Sequence, residues 1–311
     1  MQITKNILMI EPINFRYNEQ TAVNNYYQKV LDNLTAEMVQ KKAFKEFNDL
    51  VIKLEDVGVN VIVVKDTDLS DTPDSIFPNN WISFHANGKI CLYPMCAENR
   101  RLERRKDIFD TLKHKYFFLV NDIIDLSYFE KENKFLEGTG SMILDRTNKI
   151  CYAAISVRTE RISLMEFCKQ FDYKPICFIA NQDVKGKRMP IYHTNVMMCV
   201  ADRFVIICLD SIDNDKERKL VADSILSSGK EIIEISEEQK NRFAGNMLQV
   251  RGKDNELFLI MSQAALNCLT QAQKAQINNH CKIIASSLDT IEACGGGSAR
   301  CMMAEVFLPK S

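Results

Sequence analysis

The order of its elements constrains this chain most. Between Trp81 and Ser286 one pattern recurs: two extended runs around a turn, a helix, and a single short apolar run. In the first copy Trp81 to His85 and Lys89 to Pro94 flank Asn87-Gly88, a pair that supplies the positive φ angles a tight hairpin needs. A helix over about Glu98 to Lys115 and a strand at Phe117 to Val120 follow. The second copy reads Ser141 to Arg146, a Thr147-Asn148 turn, Lys149 to Ser156, a helix near Glu160 to Phe171 and a strand at Pro175 to Ala180. The third has Asn195 to Ala201, Arg203 to Leu209, a helix over about Asp213 to Ser228 and a strand at Glu231 to Ile235. In the fourth, Met247 to Arg251 and Leu257 to Met261 precede a helix near Gln263 to Ile277 and a strand at Lys282 to Ser286.

A unit of this size cannot bury its apolar face alone, so the copies are expected to pack against one another. A fifth unit is split between the chain ends. Asn6 to Glu11 reads as a strand, Glu19 to Val57 as a long helical region stopped by Gly58, and Asn60 to Lys65 as a buried strand. The apolar run Met302 to Leu308 supplies its missing strand. The expected fold is therefore α/β: a ring of five ββαβ units forming one domain over residues 1–311. Pairing of the N- and C-terminal strands would close it and leave no sheet edge open. A doubly wound sheet needs single strands alternating with helices, which the hairpin at Asn87-Gly88 argues against.

Composition excludes several classes of function. With 40 basic and 41 acidic residues the formal charge is -1, so no global field draws in nucleic acid or an anionic membrane. Apolar runs such as Phe204 to Leu209 are too short to span a bilayer. Eleven cysteines without repeated C-x-x-C spacing, behind a start with no signal-like segment, point to reduced thiols and a cytoplasmic location. His280 beside Cys281 lacks the further ligands a metal needs, and His85 and His114 read as satisfied or surface histidines. No phosphate-cradling or dinucleotide-binding glycine motif is present, so neither a metal nor a cofactor is expected. The expected partner is a small-molecule amino-acid substrate, and a homodimer stays open as an assembly.

In such a ring the segments leading into each hairpin lie around one end of the axis. They read Pro73 to Asn80, Leu136 to Gly140, Tyr192 to Asn195, Phe243 to Asn246 and Gly295 to Cys301. An aspartate, a glutamate, one of only four histidines and a cysteine would meet there. A thiolate, a proton shuttle and an orienting carboxylate are what nucleophilic attack on a planar carbon requires. Three consecutive glycines, Gly295 to Gly297, let the backbone pass close to a ligand and deliver Cys301 to the first residue of a strand. Taken alone, that cysteine reads as a small packed hydrophobe; its company changes the reading.

These segments also resemble a known family. The succession P-D-x-[VI]-F-x-x-[DN], E-G-x-G, S-x-R-T, H-x-[DN] and a glycine-rich loop before a cysteine is similar to the guanidino-group-modifying, or pentein, superfamily. That superfamily includes arginine deiminase, dimethylarginine dimethylaminohydrolase and glycine amidinotransferase. The likeness is strongest to citrulline-utilisation hydrolases of the CtlX type, through Phe77 to Trp81, Glu98 to Arg105, Glu137 to Ser141 and Gly295 to Cys301. It implies a fivefold pseudo-symmetric α/β propeller. It makes Cys301 the nucleophile, His193 the general acid/base and Glu137 a carboxylate beside the substrate's planar head. Asp74 and Phe77 would line the pocket; Asn246, from its place in the fourth equivalent segment rather than from the resemblance, is expected as a further substrate contact. Arg158 and either Arg100 or Arg101 match positions that hold a substrate carboxylate, a task suited to a planar two-pronged cation.

One departure bears on substrate choice. Where arginine deiminases carry aspartates that grip a guanidinium, this chain has Asn80 and Asn195. A buried cation without those counter-ions would carry a desolvation cost of several kcal/mol, whereas an amide can both donate to a carbonyl and accept from an NH2 group. The expected function is hydrolysis of a ureido C–N bond, with citrulline giving ornithine, ammonia and carbon dioxide. Against it stands a guanidine hydrolase or amidinotransferase, because Asp74 and Glu137 can still hold a cation. A further alternative is a binding protein on the same fold that does without the Cys301 chemistry.

Overall fold

The computed structural model describes residues 1–310; Ser311, the last residue of the expected domain, lies outside the described residues. Five separate three-stranded sheets share one plan: a central strand with an antiparallel partner on one side and a parallel partner on the other. In the first, Asn6–Glu11 pairs antiparallel with Ala304–Glu305 and parallel with Asn60–Lys65. The remaining central strands are Lys89–Leu92, Ile150–Ala154, Phe204–Ile207 and Leu257–Ser262. Their antiparallel partners are Ile82–Phe84, Ile143–Asp145, Met198–Val200 and Leu248–Arg251. Their parallel partners are Asp122–Asp125, Lys174–Phe178, Glu231–Glu234 and Lys282–Ser286. Each parallel pair requires a crossover, and helices provide it.

The antiparallel strands entering the sheets are short and almost wholly buried. Immediately before each comes a tight polar turn: Pro78–Asn80, Gly138–Ser141, Thr194–Val196, the Phe243–Asn246 segment and the residues around Cys301. This arrangement brings the polar segments into one place. Helix Ala36–Asp56 packs Phe47, Leu50 and Leu54 into an apolar cluster that also holds Ile7, Val61, Ile260 and Cys301, so the cysteine stands at the edge of a well-packed core.

Several elements differ from the sequence reading. Glu19 to Val57 is not continuous helix but a single turn, Glu19–Ala22, followed after a non-helical stretch by Ala36–Asp56. Asn24, Asn25 and Gln28 spend their side chains on Arg158 and on carbonyls of the Cys301 loop, and such bonds compete with helix formation. Phe117 to Val120 is not a strand: Phe117 has a φ of 59° and Phe118 is buried, and the parallel strand is Asp122–Asp125. The first and fourth helices are each broken in two, into Glu98–Arg101 with Asp107–His114 and Gln263–Cys268 with Gln271–Asn278. Cys301 lies in a turn rather than on a strand, and the glycine run begins as the end of a helix, Asp289–Gly295.

Among the described residues, no helix is long and apolar enough to cross a membrane. All eleven cysteines are free.

Candidate active site

Cys301 and His193 face one small cavity that Asp74, Phe77, Asn80, Arg100 and Arg158 also line. Behind it stand Glu137, Asn195 and Asn246, in contact with the histidine or the sulfur. All ten residues singled out in the sequence therefore come together. Arg101 does not join them; it holds the Met95 and Cys96 carbonyls.

The sulfur is held by amides. Asn195 Nδ2 and Asn246 Nδ2 each donate to Cys301 Sγ at 3.2 Å. Asn246 cannot turn freely, because its Oδ1 accepts the Arg300 backbone N–H at 3.0 Å and its Nδ2 also donates to the Asn195 carbonyl.

His193 Nε2 lies 2.7 Å from Glu137 Oε2, and both residues are buried. Burial would by itself push the Glu137 carboxyl up. The Arg158 guanidinium 3.4 Å away, the histidine and Arg100 outweigh it and hold the carboxyl well below the usual carboxylate range. Burial lowers the His193 pKa to about 4, against the opposing pull of Glu137. At neutral pH the pair is thus carboxylate and neutral imidazole, with Nε2–H donating to Glu137 and a lone pair on Nδ1. Nδ1 borders space that exists because residue 140 is glycine: a Cβ there would lie 2.8 Å from Nδ1 and would collide with Asn80 Nδ2.

The two arginines expected to hold a substrate carboxylate line the cavity and are also bonded to protein acceptors. Arg100 forms a two-pronged pair with Glu103, at 2.8 and 2.9 Å, and donates from Nη1 to Asn80 Oδ1 at 2.7 Å. Its remaining contacts are the Phe77 and Asp74 carbonyls. Arg158 donates to the Thr21 carbonyl at 2.7 Å and to Asn24 Oδ1, and lies over the Tyr192 ring. Arg100 thereby fixes the Asn80 amide.

The residues the sequence reading missed form the roof. Asn18 and Thr21 donate to Asp74 Oδ2, Asn25 reaches the Gly295 carbonyl, and Tyr192 O–H donates to the Gly296 carbonyl at 2.7 Å. Burial pushes the Asp74 carboxyl up, with Arg100 and the Asn18 and Thr21 hydrogen bonds opposing it. Asp74 Oδ1 and Asn195 Oδ1 are buried acceptors with no hydrogen-bond partner. Such atoms are costly to leave unsatisfied, and Asp74 lines the cavity, so its Oδ1 marks where a donor of a ligand fits. Among the described residues, no group of three or more His, Cys, Asp or Glu side chains is placed to hold a metal ion.

A thiol, an imidazole and a carboxylate gathered on the entry turns of small α/β sheets define the guanidino-group-modifying, or pentein, class of enzymes. Within that class the chain belongs to the N,N-dimethylarginine dimethylhydrolase family, whose eukaryotic model matches residues 11–308. Among solved structures it is similar to ArgZ, an arginine dihydrolase from the ornithine-ammonia cycle in cyanobacteria. The TM-score is 0.74 and the identity 18%, over 98% of this chain and 41% of that one. The chain therefore spans about two fifths of full-length ArgZ. It matches nearly all of the ArgZ N-terminal domain solved with a covalently bound reaction intermediate, at a TM-score of 0.73, 18% identity, and 98% and 99% of the two chains. A dimethylarginine dimethylaminohydrolase adduct with S-methyl-L-thiocitrulline gives a TM-score of 0.62 at 12% identity, over 97% of this chain and 99% of that one. At these identities the likeness shows the fold. No curated protein matches the chain.

Proposed function

We propose that the chain is a cysteine-dependent hydrolase of the ureido C–N bond of an amino acid, with citrulline as the substrate that fits best. The observation that carries this reading is the orientation of Asn80. Its Oδ1 is taken by Arg100 and one of its N–H groups by Asn79 Oδ1, so what is left for a ligand is its second N–H, a donor. A ureido carbonyl oxygen accepts such a bond; a guanidinium has only donors. The unpartnered Oδ1 of Asp74, in the cavity wall, then receives an N–H group of the substrate.

The chemistry follows from the same contacts. The Cys301 sulfur adds to the ureido carbon as its proton passes to His193 Nδ1, and the imidazolium so formed is stabilised by Glu137. Asn80 holds the developing oxyanion, a preorganised donor of the kind that lowers such barriers most. His193 returns the proton to the departing nitrogen, leaving a thiocarbamate on sulfur. Water, deprotonated by His193, adds to that carbon; the sulfur leaves and takes the proton back, and the carbamate loses carbon dioxide. One citrulline and one water give ornithine, ammonia and carbon dioxide. The five sheets are inferred to form a fivefold pseudo-symmetric α/β propeller, a single domain over residues 1–311, with this site at one end of its axis. Contacts between neighbouring antiparallel strands support it: Ile82–Phe84 with Ala304–Glu305, and Met198–Val200 with both Ile143–Asp145 and Leu248–Arg251.

A second reading, hydrolysis of arginine or a methylated arginine, is favoured by the family match and by the free Asp74 Oδ1, a carboxylate oxygen suited to a cation. Ammonia and amine release from citrulline, arginine and methylated arginines separates the two, together with the mass of the Cys301 adduct trapped during turnover. A carbamoyl-type adduct with citrulline as the preferred substrate is expected. An amidino-type adduct with arginine preferred would sink the ureido reading.

A further inference from the structure

Behind the nucleophile's turn lies a second carboxyl that the chemistry above leaves unused. Glu292 sits on helix Asp289–Gly295, which leads into the glycine run, and its Oε1 takes a 2.5 Å hydrogen bond from Ser298 Oγ. Ser298 is fully buried, and its carbonyl accepts the backbone N–H of Cys301 at 2.9 Å. Glu292 also lines a second cavity, whose wall residues Lys29, Asp183 and Arg242 are exposed. Protons therefore reach it without passing through the reaction cavity.

We infer that Glu292 is a positioning residue which, acting through Ser298, holds the Cys301 turn more firmly when its carboxyl is ionised than when it is protonated. The inference rests on the reading of Cys301 as the nucleophile. An ionised carboxylate only accepts, so Ser298 must donate, in a charge-assisted bond about twice as strong as a neutral one. A protonated carboxyl leaves a neutral bond in which either oxygen donates, and the turn loosens.

The surroundings place this change in a useful range. Burial pushes Glu292 up to about 7; Asp289 and Glu46 push in the same direction, and hydrogen bonds from Ser262 and Ser298 oppose them. Asp289 lies on the same helix, whereas Glu46 reaches across from helix Ala36–Asp56 to accept the N–H groups of Thr290 and Ile291. Across the second cavity stand Asp183, Lys29 and Arg242.

The test is the rate at which iodoacetamide alkylates Cys301, read by peptide mass spectrometry between about pH 5.5 and 8.5, in wild type, Glu292→Gln and Ser298→Ala. Glutamine keeps an acceptor for Ser298 but cannot ionise. The ratio of wild-type to Glu292→Gln rate should change severalfold, up to about tenfold for one pKa unit of coupling, with a midpoint near pH 7. Ser298→Ala should behave like Glu292→Gln, and it carries the comparison if the glutamine variant does not fold. A ratio constant across the range overturns the inference. A pH-dependent ratio in a protein that turns over no ureido or guanidino compound would uphold it and overturn the functional reading instead.

Discussion

Arg100 Nη1 lies 2.7 Å from Asn80 Oδ1, and the same guanidinium is clamped by Glu103. An amide is nearly symmetric in shape, so a fixed cation is what decides which end it shows to a ligand. Here it shows N–H.

Asn80→Asp replaces that donor with an acceptor and a charge, and Asn195→Asp adds a second beside the sulfur. The double variant should move kcat/KM toward arginine over citrulline by at least about tenfold, equivalent to roughly 1.4 kcal/mol of differential transition-state binding. Ammonia release from the two substrates measures it. An unchanged preference would count against charge as the selector.

The Arg100–Glu103 pair predicts a split between stability and activity. The two side chains are 3% and 1% exposed, so Arg100→Met leaves a buried carboxylate alone and should cost about 3 to 5 kcal/mol in denaturant unfolding. Adding Glu103→Met removes the orphan charge and should restore most of that stability. Activity should not return with it, because Asn80 is no longer held. A double variant with wild-type turnover would show that Arg100 is structural only.

What the sequence made legible was decided by local chemistry. The entry turns carry their polar residues in short runs beside buried strands, so Asp74, Glu137, His193 and Cys301 could be grouped without coordinates. The roof could not. Val23, Tyr27, Val30 and Leu34 recur at helical spacing, yet Asn24, Asn25 and Gln28 use their amides on partners distant in sequence, up to 271 residues away. Periodicity records which side chains are apolar and is silent about where polar ones find acceptors. The hairpin Asn181–Val184 with Lys187–Pro190 was missed although Lys185-Gly186 signals it, with φ values of 53° and 78°. The orientation of Asn80 depends on a guanidinium 20 residues away and has no local signature.

His193 makes a prediction about pH. Its folded pKa is about 4 against an ordinary value of 6.5, with burial as the main cause. Between those values the unfolded chain binds the proton and the folded chain does not. The stability contributed by the neutral imidazole is therefore complete above about 6.5 and is lost as pH falls through about 4. His193→Gln should flatten that part of the stability curve, by on the order of 3 kcal/mol, in urea titrations at successive pH values. An acid limb of activity centred near pH 6.5 to 7 would then belong to another group, and Glu292 is placed to supply it.

Gly140 stands where the amide and the imidazole approach each other, and its missing side chain is the reason they can. A Cβ there would collide with Asn80 Nδ2 and sit 2.8 and 2.9 Å from His193 Nδ1 and Cε1. Neither neighbour can yield cheaply. Asn80 is held through both ends of its amide, by Arg100 and by Asn79 Oδ1, and His193 is held by Glu137. Gly140→Ala should therefore cost only about 1 to 3 kcal/mol of stability, the usual range for overpacking, while displacing the two groups that face the reacting carbon. A shift of about 1 Å at such groups costs roughly 100-fold in rate, so kcat should fall by that order while the protein stays folded. Thermal denaturation and steady-state kinetics on the same preparation would check both halves. A fully active alanine variant would mean that Asn80 and His193 do not share the reaction space assigned to them.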